Sequence, residues 1–459
     1  MTDGTEDHKP WDIEKYRGVR RYAERKKDWE QEDDEEELVL HASPGTSTTS
    51  PSSKASPKYD ENGPSLFWLA LRTSLLTIIT LGIYRFWMTA ALRRHYWNAI
   101  RIQGDPLEYT GTGLEKLLGF LIAIIVLAVY LGTVNLGLAF IGLSYFEGNP
   151  AALNITILAA VPFIFYATYR ARRYIMARTR WRGIRFGLDR GAFGYTARAI
   201  WYWFLTLITG GLLYPFQQFR LAKFVTDRSY FGDLKFHQNG SWMGLFAYWV
   251  WIYVVLGLMV LAFWGMAADP GNPSTQVIGG LIAFVGYISL FVMFMRYEIV
   301  AFRYMWSNRT LGNAAFQSDV SPGSIISVYV VGTLLVGICT MLVLFALALA
   351  VGLVVIAGLG LDPGSVFDQS ALNRMAEGGG LGQAAPLIAG GVLTYLVAIA
   401  FSIAFTQIFI TRPILQRKAE TMVIHNVLSL TQSRQRAHDH AAEAGGFADA
   451  LGVDMGAGF

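Results

Sequence analysis

Long runs of apolar residues alternate with short charged segments along most of the chain. A helix needs about 20 apolar residues to cross the roughly 30 Å hydrocarbon core of a bilayer. Eight runs approach or exceed that length, at 66–87, 117–146, 151–169, 199–216, 243–266, 277–295, 325–361 and 385–410. No soluble core needs eight such runs, so the pattern predicts an all-α polytopic membrane protein.

Composition supports this class. The 459 residues are 53% hydrophobic and 16% charged, whereas ordinary globular chains have about 25% charged residues. The single cysteine, Cys339, lies inside an apolar run, which excludes a disulfide framework and a multi-cysteine metal site. The first apolar run begins after residue 60, so it does not read as a secretory signal peptide.

The two ends of the chain differ from the apolar region. Residues 30–37 are strongly acidic and 41–64 are rich in Ser, Thr and Pro, a composition typical of disorder. We therefore predict a disordered charged N-terminal tail at 1–64 and a flexible C-terminal tail at 427–459. Residues 11–27 mix basic with aromatic and aliphatic residues, which fits either a solvated tail or a helix lying on an anionic membrane surface.

Glycine-centred patterns recur at a nearly constant distance. Three pairs are 129, 128 and 129 positions apart, namely Gly82 with Gly211, Gly104 with Gly232, and Gly183 with Gly312. Such regularity predicts a tandem duplication. We assign membrane repeat units to 65–194 and 195–323, followed by an additional transmembrane hairpin with a cytoplasmic end at 324–426.

Four glycine segments share a second pattern, in which basic residues precede the glycine and an aromatic residue follows it. The repeat glycines of these segments are Gly104, Gly183, Gly232 and Gly312. Apolar residues alternate with other residues around them, a period of two that is typical of strands and hairpins. We predict small extended or β elements at the cytoplasmic face of the membrane.

The distribution of basic residues predicts the orientation. Residues 170–190 contain eight arginines and one acidic residue, whereas 147–150, 267–276 and 362–383 are nearly free of bases. Basic loops of membrane proteins face the cytoplasm. This places the basic connections and both termini on the cytoplasmic side.

Two apolar runs, 66–87 and 199–216, are single rather than paired. If both are re-entrant, the chain has six full transmembrane helices and every basic loop is cytoplasmic. If both cross, it has eight spans and the repeat units have opposite orientation, as in inverted-repeat transporters. Arg72 within the first run, Arg198 immediately before the second, and the turns around Gly82 and Gly211 favour the re-entrant interpretation.

The sequence contains no catalytic signature. Zinc-protease, nucleophile-elbow and phosphate-loop patterns are absent, and the seven histidines are scattered. We therefore predict no enzyme activity, no catalytic residues, no metal site and no cofactor. Charged residues inside or at the ends of apolar runs are the alternative functional candidates, because burying charge in lipid is costly. They are Arg72, Arg198 and Glu298, and Glu298 would need partners on other helices.

Bases beside the apolar runs are candidates for contacts with anionic phospholipid headgroups, each worth about 1 kcal/mol. They are Arg93, Arg94, Arg172, Arg173, Arg220, Lys223 and Arg303. The predicted partners are the lipid bilayer and its anionic headgroups, with no nucleic acid. A protein partner or a homo-oligomer stays open.

Three segments carry a family resemblance. They are Leu-Thr-Ile-Ile-Thr-Leu-Gly-Ile-Tyr-Arg-Phe-Trp at 76–87, Thr-Arg-Trp-Arg-Gly-Ile-Arg-Phe-Gly at 179–187 and Phe-Gly-Asp-Leu-Lys-Phe at 231–236. Over about residues 65–425 the chain resembles the YjgN-like family of bacterial inner-membrane proteins. The resemblance implies a multi-pass inner-membrane location in a bacterium, but it implies no activity, since the family is a domain of unknown function.

Two functions fit these observations. The duplication and the single apolar runs favour a transporter or channel, which we rank slightly ahead of the alternative. The lack of acidic residues deep in the apolar runs favours a non-catalytic scaffold or assembly partner that binds anionic lipids or another protein.

Overall fold

The computed structural model of the chain describes residues 54–61, 65–143, 149–359 and 381–436, all within one compact unit. Most of the predicted N-terminal tail, including the basic segment 11–27, lies outside the described residues. So does most of the predicted C-terminal tail.

Helices dominate the described residues. In chain order they are α1 (Leu66–Ile79), α2 (Arg85–Ala99), α3 (Gly113–Phe140), α4 (Pro150–Arg178), α5 (Ala192–Ile208), α6 (Tyr214–Thr226), α7 (Met243–Ala268), α8 (Pro273–Ser307), α9 (Pro322–Leu359), α10 (Leu381–Thr406), α11 (Arg412–Glu420) and α12 (Leu428–Thr431). A π-helical turn, Gln407–Thr411, joins α10 to α11. Six of these helices, α3, α4 and α7 to α10, are long and apolar enough to cross a membrane. This confirms the predicted class of helical polytopic membrane protein.

The six long helices expose most of their apolar surface. Only 6–22% of the most apolar window of each helix is buried inside the protein. A water-soluble protein could not leave this much contiguous apolar surface uncovered. The long helices therefore face hydrocarbon rather than a common packed bundle core.

The remaining helix pairs are short. α1 and α2 have 14 and 15 residues, and α5 and α6 have 17 and 13. At 1.5 Å per residue these helices are about 20–25 Å long, less than the hydrocarbon core. Each apolar run that reads as one segment, 66–87 or 199–216, thus contains a tight turn between two helices.

The two turns have the same construction. The backbone N–H of Tyr84 donates to Thr80 Oγ1 at 2.9 Å, and that of Leu213 donates to Thr209 Oγ1 at 3.3 Å. Each turn also contains one glycine with φ near +90°, a backbone conformation that side chains disfavour.

A short strand follows or precedes most helix pairs. The strands are β1 (Lys54–Ala55), β2 (Lys58–Tyr59), β3 (Ile100–Ile102), β4 (Asp105–Tyr109), β5 (Thr179–Trp181), β6 (Ile184–Leu188), β7 (Ser229–Phe231), β8 (Leu234–Gln238), β9 (Arg309–Leu311), β10 (Ala314–Ser318) and β11 (Met422–His425). Four hairpins, β3–β4 to β9–β10, join a three-residue strand to a five-residue strand through a two-residue turn. The turns contain Gly104, Gly183, Gly232 and Gly312, all with positive φ.

The antiparallel sheet closes on itself. Its strand order begins with β1, runs from β11 down to β3, and ends with β2. β1 pairs with β11 and β2 pairs with β3, yet only Ser56 and Pro57 separate β1 from β2. The six-residue segment 54–59 therefore pairs with both ends of the series β3 to β11. Because it joins these two ends, the sheet is a closed β-barrel. The sequence places residues 54–61 in a disordered tail. In the structure, this segment instead contains the two paired strands β1 and β2 and the two residues after them.

The interior of the β-barrel is filled with side chains. Apolar residues from successive strands form one buried cluster, among them Leu107, Trp181, Phe231, Phe236, Leu311, Phe316 and Ile424. The rings of Phe186 and Phe231 lie 4.6 Å apart, and those of Trp181 and Phe231 lie 5.7 Å apart. Such close aromatic packing makes the barrel a core rather than a pore.

The chain after α12 crosses the turn between β7 and β8. Ser433 Oγ and the backbone N–H of Arg434 donate to Asp233 Oδ1 at 2.8 and 3.0 Å. The hydrogen bond from Ser433, followed by that from Arg434, holds the pKa of Asp233 below its ordinary value. A Cβ at Gly232 would lie only 2.5 Å from the carbonyl oxygen of Arg434, so only glycine admits this crossing.

Candidate functional site

Arginines from two parts of the chain converge where α4 meets α5. A pocket of about 330 Å³ lies between these helices, and we call it the basic pocket. It is lined by Tyr166, Tyr169, Arg170, Arg173, Arg190, Gly191, Ala192 and Phe193.

Helix geometry explains the first half of this lining. Tyr166, Tyr169, Arg170 and Arg173 are spaced by three, four and seven residues, so they share one face of α4. Their exposure differs, because Arg173 is only 6% exposed whereas Arg170 is half-buried. The lining of the pocket therefore contains one buried and one half-buried arginine from α4.

The connection from β6 to α5, together with the start of α5, supplies the other half of the pocket lining. The Tyr169 hydroxyl donates to the carbonyl oxygen of Asp189 at 2.6 Å, which fixes this connection against α4. A Cβ at Gly191 would lie 3.1 Å from the same hydroxyl and 3.5 Å from Arg228 Nε. A glycine therefore allows the backbone to approach the pocket, and Arg228 adds a further cation beside it.

The charge of the basic pocket is strongly positive. Arg173 lies within electrostatic range of both Arg170 and Arg190. Helix α5 begins at Ala192 without a side-chain cap, so its first backbone N–H groups and the positive end of its dipole add to the field. Guanidinium groups and a helix N-terminus both favour oxyanions, phosphate above all.

Arg198 lies near the same region but makes different contacts. Its Cζ is 4.7 Å from the ring centroid of Phe224, and one of its terminal nitrogens donates to the carbonyl oxygen of Gly194 at 2.9 Å. Arg228 covers the same ring at 3.7 Å. Arg198 is exposed on α5, and it stands six residues after the first residue of that helix.

Arg72 occupies the matching place in α1. It is also exposed and also stands six residues after the first residue of its helix. The structure therefore gives Arg72 and Arg198 equivalent positions, yet on separate short pairs. At about 9 Å from each helix start, either side chain can extend toward the membrane interface.

Glu298 lies in a polar network between α8 and α6. Tyr214 hydroxyl donates to Glu298 Oε1 at 2.9 Å, and Gln218 Nε2 donates to Oε2 at 3.1 Å. Tyr297 hydroxyl donates to Gln218 Oε1 at 2.7 Å. Arg296 is exposed instead. The partners of Glu298 thus come from a different helix, as the sequence spacing requires.

The bases predicted to contact lipid are spread over several environments. Arg94, Arg220 and Arg303 are exposed, Arg172 is half-buried, and Arg173 lines the basic pocket.

Two of these bases are held by the protein itself. Arg93 is buried and donates to the Tyr109 hydroxyl at 3.4 Å. Lys223 forms an ion pair with Asp227 at 3.2 Å and donates to the carbonyl oxygen of Gln238.

In the sequence, Arg170 and Arg190 indicate only the orientation of the chain in the membrane. Arg170, Arg173 and two tyrosines at helical spacing could have indicated a shared face of α4. The approach of Arg190 could not be foreseen, because it depends on the path of the β5–β6 hairpin.

Within the described ranges, no group of three His, Cys, Asp or Glu side chains is placed to hold a metal ion.

Comparison with known proteins gives two matches. Residues 58–450 match the family described as "Bacterial protein of unknown function (DUF898)". The "Inner membrane protein YjgN" of Salmonella typhimurium strain LT2 is 28% identical over 142 residues, which is 31% of this chain and 32% of that protein. The matched region thus spans about a third of that relative. No solved structure matches the chain.

Proposed function

The chain belongs to the DUF898 family of bacterial proteins of unknown function, and from this premise we propose that it is a non-catalytic membrane scaffold that holds anionic phospholipid headgroups. It is a multi-pass inner-membrane protein, and the family match confirms the resemblance to the YjgN-like family. One observation carries the proposal, namely the convergence of Arg170, Arg173 and Arg190 on the basic pocket.

The position of the basic pocket suits a lipid headgroup. It lies where the long helix α4 ends and the short helix α5 begins, beside the β-barrel. A phosphate in the pocket would accept hydrogen bonds from guanidinium forks. Phe193 at its edge is 81% exposed, so the attached acyl chains would continue along an apolar surface.

We place the β-barrel on the cytoplasmic side. All four complete hairpins belong to one closed sheet, so all lie on the same side of the membrane. The strongly basic 170–190 region includes one of these hairpins, and basic connections face the cytoplasm. The pairs α1–α2 and α5–α6 then enter and leave the bilayer on that side as re-entrant hairpins. Six helices span fully, and both ends of the described chain approach the cytoplasmic barrel.

The repeated architecture supports the proposed duplication. A helix pair followed by a hairpin recurs four times, alternating a short pair with a long pair. The distance of about 129 residues relates α1–α4 to α5–α8. The pair α9–α10 forms a fifth unit, in which β11 pairs with the N-terminal strand instead of a second hairpin strand.

A transporter or channel is the second candidate, and the Glu298 network favours it. A carboxylate hydrogen-bonded between a short re-entrant pair and a long helix is a feature of ion pathways. The packed aromatic interior of the β-barrel argues against a route along the barrel axis. We therefore rank the lipid-binding scaffold first.

Cysteine labelling tests the proposed topology. In a Cys339→Ser background, Gln103→Cys, Arg182→Cys and Asn313→Cys each place one thiol in an exposed hairpin turn. A membrane-impermeant maleimide is expected to label none of them in intact spheroplasts and all of them after lysis. Gly271→Cys, between α7 and α8, should be labelled in intact spheroplasts. Labelling of Gln103→Cys and Arg182→Cys but not of Asn313→Cys before lysis would establish eight spans instead.

Lipid binding tests the proposed function. We expect Arg170→Gln, Arg173→Gln and Arg190→Gln together to weaken binding of phosphatidylglycerol to purified protein roughly a hundredfold, because each base contributes about 1 kcal/mol. Native mass spectrometry in a neutral detergent measures the bound lipid. The matched control replaces the exposed residues Arg94, Arg220 and Arg303 by Gln, which removes equal charge elsewhere. An equal loss of phosphatidylglycerol binding in both triple variants would show that only general surface charge matters. That result would contradict a specific pocket.

A further inference from the structure

A second cationic site lies at the helix end of the β-barrel, around Arg309. This residue begins β9 and is only 8% exposed. Its Nε donates to Gln238 Oε1 at 2.9 Å, and its Cζ lies 4.3 Å from the ring centroid of Trp306. The guanidinium is therefore held in one orientation by a neutral amide and an aromatic face.

The orientation of Gln238 is fixed in turn. Gln238 is fully buried, and its Nε2 donates to the carbonyl oxygens of Met305 at 2.9 Å and Asn308 at 3.3 Å. Since the amide nitrogen faces those carbonyls, the amide oxygen must face Arg309. The nearby carboxylate of Asp227 accepts from the Gln238 backbone N–H and pairs with Lys223. That carboxylate is thereby committed to other donors.

The charge that acts on Arg309 is that of another cation. Arg172 of α4 lies within electrostatic range, and burial followed by the charge of Arg172 lowers the pKa of Arg309 to about 9. Among the described residues, neither guanidinium forms an ion pair with a carboxylate. Proteins normally pair buried charges, because an unpaired one is costly. A bound anion would therefore stabilise Arg172 and Arg309, which carry like charges and have no carboxylate partner among the described residues.

The unused donors of Arg309 suit an oxyanion. A guanidinium has five N–H groups in a planar fork. Only the Nε–H of Arg309 meets an acceptor among the residues that the structure describes. The four terminal N–H groups keep the bidentate geometry that matches phosphate oxygens.

We propose that Arg309 and Arg172 together bind one phosphate-type oxyanion at the helix end of the β-barrel. The site is distinct from the basic pocket, which uses the neighbouring Arg173, and it does not depend on the proposed scaffold function. The oxyanion is either free phosphate or the phosphate of a lipid headgroup.

Thermal unfolding of delipidated protein in a neutral detergent tests the free-anion source. We expect phosphate to raise the Tm of the wild-type protein by roughly 5–10 °C at a hundred times its Kd, relative to chloride at equal ionic strength. Added to the triple variant of the basic pocket, Arg172→Gln and Arg309→Gln should each abolish this shift. Arg296→Gln, an exposed arginine of α8, should keep it. The triple variant of the basic pocket should keep it too, which separates the two sites.

The Tm of Arg172→Gln without phosphate distinguishes loss of the site from general loss of folding. Without phosphate, Arg172→Gln should unfold at a higher temperature than the wild type, because the repulsion of a buried like charge is relieved. A lower Tm in that variant would overturn the proposal. So would a phosphate shift that persists when Arg172→Gln or Arg309→Gln is added to the triple variant of the basic pocket.

Nanodiscs without free phosphate test the lipid source. In the triple variant of the basic pocket, a Tm increase on adding phosphatidic acid to neutral phosphatidylcholine that is lost on adding Arg172→Gln would assign the site to a headgroup. A shift with phosphate alone would assign it to the free anion. No shift in either arm would refute the site.

Discussion

Removal of residues 1–61 is expected to open the β-barrel and lower its thermal stability by roughly 10 °C or more. The deleted segment contains β1 and β2, which pair with β11 and β3 on opposite sides. Ala55 and Tyr59 pack against the barrel core, and Glu61 forms ion pairs with Arg412 at 2.6 Å and with His95 at 3.3 Å. Lost strand hydrogen bonds and apolar burial amount to on the order of 5 kcal/mol.

A shorter deletion is the matched control. Removal of residues 1–53 leaves both closing strands in place, so its Tm should equal that of the full chain. A synthetic peptide of residues 50–63 should restore part of the stability of the longer deletion by adding a strand to the open edges. Equal unfolding temperatures for the two deletions, measured in the same detergent, would show that closure contributes nothing to stability.

Gly332→Ala is expected to destabilise the protein by about 2–4 kcal/mol, although it adds only one methyl group. A Cβ at Gly332 of α9 would lie 2.6 Å from the carbonyl oxygen of Phe409 and 3.2 Å from its carbonyl carbon. Phe409 belongs to the π-helical turn, and its backbone cannot rotate aside as a side chain could. The added methyl group must therefore push α9 away from the Gln407–Thr411 segment.

Gly337 provides the comparison on the same helix. A Cβ there would meet no atom within 4 Å, so Gly337→Ala should leave stability unchanged or raise it by up to about 1 kcal/mol through helix propensity. Thermal unfolding of the two single variants in the same detergent measures both effects. Equal Tm values for the two variants would contradict close packing of α9 on the π-helical turn.

The apolar runs of the sequence predicted the six long helices because hydrocarbon demands a length and an apolarity that local composition records directly. The same runs hid the turns at 80–84 and 209–213, since these turns are themselves apolar. Leu81 and Ile83, for example, are exposed at the tip of the first short pair. Their polar backbone groups are satisfied by local hydrogen bonds rather than by polar residues that a hydropathy pattern would reveal.

The sequence pattern could not predict the closure of the β-barrel, for a different reason. β1 and β2 have two residues each, too few to show a period, and they lie in a polar segment that resembles a disordered tail. Their partners are set by the fold, since Ala55 pairs with Ile424 at the far end of the chain. The basic pocket was half predictable, because Arg173 was a candidate for lipid contact but its neighbours Arg170 and Arg190 were not.

The pairing of β1 with β11 has a consequence for synthesis on the ribosome. The closing segment emerges first, but its second partner follows more than 360 residues later, after every transmembrane helix. At 5–20 residues per second the barrel stays unclosed for roughly 20–70 s. During that time the growing sheet presents an unpaired edge, which is the element that most readily recruits foreign strands. Translation speed and the cytoplasmic chaperones present at the insertion site should therefore influence the yield of this protein more than its final stability does.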